Sequence, residues 1–136
     1  MAYQPTSIVP DKGGRPGKNS SGADIAQFRA VQIVPAGTED PTQIRLPSAA
    51  GASIYGVTMN AIKDGQIGDV QIEGKVPVLA GAGGIAVGAD LAVTTAGAFV
   101  TAVTGNIVVA KCVKAAAAGA YGEAELGSPI NSRTVP

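Results

Sequence analysis

The chemistry open to this chain is bounded first by what it lacks. Its 136 residues contain no histidine, which removes Ser-His-Asp and Cys-His catalysis and the commonest zinc ligand. The single cysteine, Cys112, stands in an apolar segment between Ala110 and Val113, with Lys111 and Lys114 near in sequence. A nucleophilic thiol needs an exposed electropositive site, so this setting predicts a buried small hydrophobe. One cysteine also excludes an intrachain disulfide framework. Gly81-Ala-Gly-Gly-Ile-Ala86 fits the pattern G-x-G-x-x-[GA] after the strand-like Val76–Leu79. A dinucleotide fingerprint requires a helix directly afterwards, so that the helix N-terminus meets the pyrophosphate. Val87-Gly-Ala-Asp-Leu-Ala-Val-Thr-Thr95 reads instead as a turn followed by a strand, and the glycines as a flexible connection. The carboxylates Glu39, Asp40, Asp64, Asp69, Glu73, Asp90, Glu123 and Glu125 are dispersed and do not reproduce the ligand spacing of an EF-hand loop. They are expected as solvated surface charges, with Asp69, Glu73 and Glu125 on outward faces. No catalytic residue, metal ligand or cofactor is expected, and the chain reads as non-enzymatic.

Composition narrows the class further. Ten basic and ten acidic residues cancel, whereas a nucleic-acid binder carries a basic patch that displaces counterions and a membrane-surface protein a polybasic one. Neither nucleic acid nor membrane is therefore an expected partner. The start Met1-Ala-Tyr-Gln-Pro5 has no basic stretch leading into an apolar run, so no signal peptide is read there, and no stretch reads as a membrane-spanning helix. The hydrophobic fraction is 46%, yet aromatics make up only 4%. A core of Val, Ile, Leu and Ala buries less area per side chain than one built on aromatics. With little net charge to repel copies, this composition favours an assembled state.

The elements that would position any site are short strands. Residues 1–25 read as an extended N-terminal arm, polar and rich in Gly, Pro and Ser from Pro10 to Gly22. Such a stretch cannot offset its own ordering entropy. Its expected partner contacts are the apolar Tyr3, Ile8 and Val9 and the cations Lys12, Arg15 and Lys18, spaced by three. From residue 26 to 126, eight apolar segments alternate with turn residues: 28–34, 43–46, 53–62, 69–78, 91–95, 98–102, 106–113 and 120–126. The segment 69–78 puts Val70, Ile72, Val76 and Val78 on one face and Gln71, Glu73 and Lys75 on the other, the period of a half-buried strand. Pro77 cannot donate to a ladder and predicts a sheet edge or bulge there. Four alanines at 115–118 could form one helical turn ended by Gly119. Residues 127–136 read as a second, shorter arm. Together these predict an all-β fold, a jelly-roll or related β-sandwich of about eight short strands.

Residues from about 52 to 126 resemble the capsid cement, or decoration, proteins of tailed double-stranded DNA bacteriophages. The likeness is carried by Ile54-Tyr-Gly-Val-Thr58, Val70-Gln-Ile-Glu-Gly-Lys-Val-Pro-Val-Leu79, the run Gly83–Val100, and Ile107-Val-Val-Ala-Lys-Cys-Val-Lys-Ala-Ala-Ala-Ala-Gly119. Many relatives have Gly after the first Ile of that last run, where this chain has Val108. The Gly/Pro-rich residues 1–25 match nothing in the family. The resemblance implies a structural virion protein, made in the host cytoplasm and placed on the outer capsid surface. There it would bridge neighbouring major capsid proteins and stabilise the DNA-filled head without a cofactor. Its expected partners are the major capsid protein and itself, as a homodimer or alternatively a homotrimer. Two other classes make contrary demands. A trimeric nucleotide hydrolase would show an acidic, Gly-rich site. A receptor- or sugar-binding module would show exposed aromatics, and this chain has two Phe and three Tyr.

Overall fold

The computed structural model describes residues 14–35, 37, 42–127 and 133–135. Among them are twelve strands: β1 Gly14–Asn19, β2 Ala30–Ile33, β3 Gln43–Arg45, β4 Gly56–Thr58, β5 Ile67–Gln71, β6 Gly74–Leu79, β7 Asp90–Val93, β8 Phe99–Thr101, β9 Ile107–Val108, β10 Ala110–Lys114, β11 Tyr121–Leu126 and β12 Arg133–Thr134. The all-β expectation holds. The eight expected segments become twelve strands because 69–78 and 106–113 each divide in two and both expected arms contribute a strand. Gly74, at a φ of 90°, opens β6 after the break that follows β5. The single alternating face read across that segment therefore serves two cores: Val70 packs with Ile25, Val31, Ile44 and Ile62, while Val76 and Val78 pack with Leu91, Phe99 and Leu126.

Two five-stranded units follow one another. The first is a closed barrel in the order β1-β3-β2-β4-β5, in which β1 and β3 run parallel. The second is a sheet in the order β6-β11-β10-β7-β8. A parallel bridge between Ala80, just past β6, and Phe99 of β8 joins its two edge strands. Pro77 lies on the edge strand β6, opposite Glu123, as its missing N–H requires.

The second unit repeats the first strand for strand. With β1, β2, β3, β4 and β5 matched to β6, β7, β8, β10 and β11, each neighbour relation and each relative direction recurs. The registers coincide as well. Val31 faces Gly56 as Leu91 faces Ala110, and Pro16 faces Asp69 as Pro77 faces Glu123. The antiparallel bridge Ile25–Ile62 recurs as Ile85–Ala116. Loop hydrogen bonds recur too: Phe28 N donates to the Thr58 carbonyl at 2.8 Å as Gly88 N does to that of Cys112 at 2.8 Å, and Gly37 N to Val34 O at 3.1 Å as Gly97 N to Thr94 O at 3.0 Å.

Three sequence-based expectations are corrected. Residues 14–25 are not an arm. Gly14–Lys18 pairs along its length with β5, and Ile25 is buried in the first barrel's core, so the all-β unit begins at Gly14 rather than at residue 26. The C-terminal stretch is not simply an arm either, since Arg133–Thr134 pairs with Ile107–Val108. The four alanines form no helical turn. Ala116 is held in its bridge to Ile85, and that pairing wins over alanine's local preference for helix.

Candidate functional site

The repeat places equivalent residues in different surroundings, and the difference defines a site. In each unit one end is where the first strand enters. For the second unit that entry end is lined by Val76, Val93, Val109 and Leu126, all buried. They belong to one apolar cluster with Ala30, Ile54 and Val57 of the first unit. Backbone hydrogen bonds stitch the contact: Gly51 N donates to Val93 O at 2.8 Å, Ala30 N to Gly97 O at 2.9 Å, and Ile107 N to Gly51 O at 3.0 Å. The second unit's entry end is thus covered by the first unit.

The counterparts in the first unit are Arg15, Ile33, Tyr55 and Ile72, and no other described residue covers this entry end. Ile33 is 52% exposed where Val93 is 1% exposed; Tyr55 and Ile72 are half-buried and Arg15 is exposed. Ile33, Tyr55 and Ile72, with Pro35, Arg45 and Glu73, line a pocket of about 520 Å³. Gln32 braces its wall. Its Oε1 accepts from Ser48 N at 3.0 Å, and its Nε2 donates to Ser53 O at 3.1 Å. Arg45 is half-buried, and its Nε is shielded from solvent without a hydrogen-bond partner among the described residues. The arrangement is an apolar floor with one guanidinium and one carboxylate at its margin. It suits recognition of a protein surface that brings a hydrogen-bond acceptor.

Of the expected contact residues, Arg15 and Lys18 are among those described. Tyr3, Ile8, Val9 and Lys12 lie outside the described residues. Arg15 and Lys18 both sit on β1, but a spacing of three on a strand turns them to opposite faces. Arg15 Nη1 donates to the Gly14 carbonyl at 2.9 Å. Cys112 is buried as expected, with its Sγ against the Lys114 carbonyl at 3.3 Å. Past Gly81–Ala86 comes the expected turn and strand, since Gly88 has a φ of 87° and β7 starts at Asp90. Asp69, Glu73 and Glu125 are exposed as expected. Asp90, expected as a solvated charge, pairs with Lys111 at 3.1 Å, and Glu123 pairs with Lys75 at 3.5 Å. The pocket residues themselves were missed. Only a residue-by-residue comparison of the two units exposes them.

A second surface feature is aromatic. Phe28 holds a φ of 61°, the only non-glycine residue among those described with a positive φ. Its counterpart is Gly88, which adopts that region without strain. The Phe28 ring stands edge-on to Tyr121, centroids 5.7 Å apart and planes at 75°. Arg29 Nη1 reaches the Tyr121 hydroxyl at 3.4 Å.

Tandem five-stranded β-barrel units with this pairing define the structural class. No protein family profile matches the chain, and no curated protein matches it. Among solved structures, the chain is similar to the head fiber gp8.5 N base of bacteriophage phi29, with a TM-score of 0.67 and 18% identity. The match covers 84% of this chain and 92% of that one. At that identity the likeness establishes a shared fold.

Proposed function

We propose that this protein is a structural component of a bacteriophage virion. It binds the outer surface of the head and bridges neighbouring major capsid proteins, stabilising the DNA-filled shell. The observation that carries this reading is the fold likeness to a phage head fiber base over nearly the whole of both chains. The resemblance of residues 52–126 to capsid cement proteins is a separate support for a virion structural role. Both likenesses support an all-β structural protein of a phage virion.

The chain acts as a homo-oligomer, a dimer or alternatively a trimer. Its aromatic-poor core and its exposed Val87, Val103, Val113 and Tyr121 support association. Many weak contacts on one shell then act together through high local concentration. The test is co-sedimentation of the purified protein with DNA-filled heads that lack it, followed by a heat challenge. Saturable binding and later DNA release are expected. Absence from the particle fraction at all concentrations would defeat the reading.

A further inference from the structure

The entry end of the first barrel is the counterpart of a surface that the same molecule already uses for docking. On the second unit, Val93, Val109 and Leu126 share one apolar cluster with Ala30 of β2, Val57 of β4 and Ile54 just before β4. On the first unit, Ile33, Tyr55 and Ile72 stand in the same positions at a pocket. The internal contact therefore indicates what the open end accepts: a β-face of small apolar side chains.

Among the described residues, a second copy of this chain has this face already covered. In each copy Ala30 and Val57 are buried against its own second unit. The equivalent face of the second unit carries Asp90 and Lys111 where the first has Ala30 and Val57. Those two residues form an ion pair at 3.1 Å, with side chains 31% and 60% exposed. Seating them on Ile33 and Ile72 would strip water from a charged pair in an apolar setting. A polar outer face of this kind ends the stacking of repeats. One end of the tandem is thus capped by charge and the other is left open and apolar.

We infer that the open end of the first barrel, around Ile33, Arg45, Tyr55 and Ile72, is the docking site for a different protein, one presenting an apolar β-face and an acceptor oxygen. The acceptor meets the guanidinium of Arg45, which lines the pocket. The counterpart of Arg45 in the self-docked unit is Val100, so this polar contact belongs to the foreign partner alone. The inference rests on the proposed function, in which that partner is the capsid protein.

The experiment compares wild type, Ile33→Asp and Ile67→Asp for binding to heads that lack the protein, with light-scattering mass measured on each. Ile67 is 58% exposed on β5 and does not line the pocket, so it controls for a surface charge placed elsewhere. Circular dichroism checks that both variants fold, and Arg45→Met serves as a second probe that keeps bulk and removes the donor. The expected result is at least a tenfold weaker head binding for Ile33→Asp and for Arg45→Met, with Ile67→Asp and all masses unchanged. Wild-type binding matched by both pocket variants would overturn the docking site and leave the proposed function standing. A fall in mass on Ile33→Asp would assign the end to a second copy and overturn the inference. Failure of wild type itself to bind heads would defeat the function, and this partner with it.

Discussion

Phe28 and Asn19 show how single side chains hold the two units in different ways. Phe28 occupies a backbone conformation that costs a non-glycine residue about 1–2 kcal/mol, and its ring packs on Tyr121 and the second unit's core. Phe28→Ala loses the packing and keeps the strain, whereas Phe28→Gly loses the packing and relieves it. Phe28→Gly is therefore expected to be more stable than Phe28→Ala by roughly 1 kcal/mol, with both below wild type in urea midpoint. The reverse order would remove strain from the account. Asn19 is fully buried and saturated: Nδ2 donates to Ala23 O at 2.7 Å and Ile62 O at 2.8 Å, while Oδ1 accepts from Ser21 N at 3.0 Å and Ser21 Oγ at 2.7 Å. Its counterpart Ala80 carries no polar side chain, and the chain past it is held by backbone bonds, Gly81 N to Phe99 O at 2.7 Å and Gly84 N to Gly81 O at 3.0 Å. Asn19→Ala should cost about 1–3 kcal/mol by removing these bonds and leaving Ser21 N without its partner, while Ile62 O keeps Ile25 N and Ala23 O keeps Ser21 Oγ. A loss under 0.5 kcal/mol in equilibrium unfolding would show that water replaces the side chain freely.

At the scale of elements, most strands were legible and their grouping was not. Alternation marked 43–46 and 120–126 because one face of each is buried, and the strands Gln43–Arg45 and Tyr121–Leu126 fall there. The composition of 14–19 hid a strand. Gly17 has no side chain because Ile44 and Val70 fill the space beside it, and Pro16 tolerates its place as Pro77 does. Hydrophobic periodicity cannot report a strand whose inward positions are Gly and Asn. The repeat was equally hidden, since the units share few identities at matched positions, among them Pro16/Pro77, Ile25/Ile85, Gly37/Gly97 and Gly68/Gly122. What they share is register, which is a property of backbone pairing. Gly122 illustrates the constraint, because a Cβ there would overlap the Lys114 carbonyl. The charged cap on β7 and β10 yields a prediction at this scale. Asp90→Ala combined with Lys111→Val recreates the face made by Ala30 and Val57, so copies can stack end to end. Light scattering should show a mass that grows with concentration beyond that of wild type, and adding Ile33→Asp should abolish the growth. Unchanged mass in the double variant would mean that the ion pair is not what ends the stack.

For the whole molecule, the tandem explains how a chain with so few aromatics holds together: one barrel end is buried within the chain, and the other remains for a partner. The pocket was not legible in the sequence because Ile33, Tyr55 and Ile72 look like ordinary core residues, and they become a site only through the absence of the neighbour that covers Val93, Val109 and Leu126. The central claim is that this open end meets a phage head. A cryo-EM reconstruction of heads assembled with and without the protein tests it most directly. The account predicts added density on the outer surface at contacts between neighbouring capsid proteins, with the first barrel's entry end facing the shell and the Asp90–Lys111 face turned to solvent. Heads that show no added density at saturating protein, or density with the charged face against the shell, would contradict it.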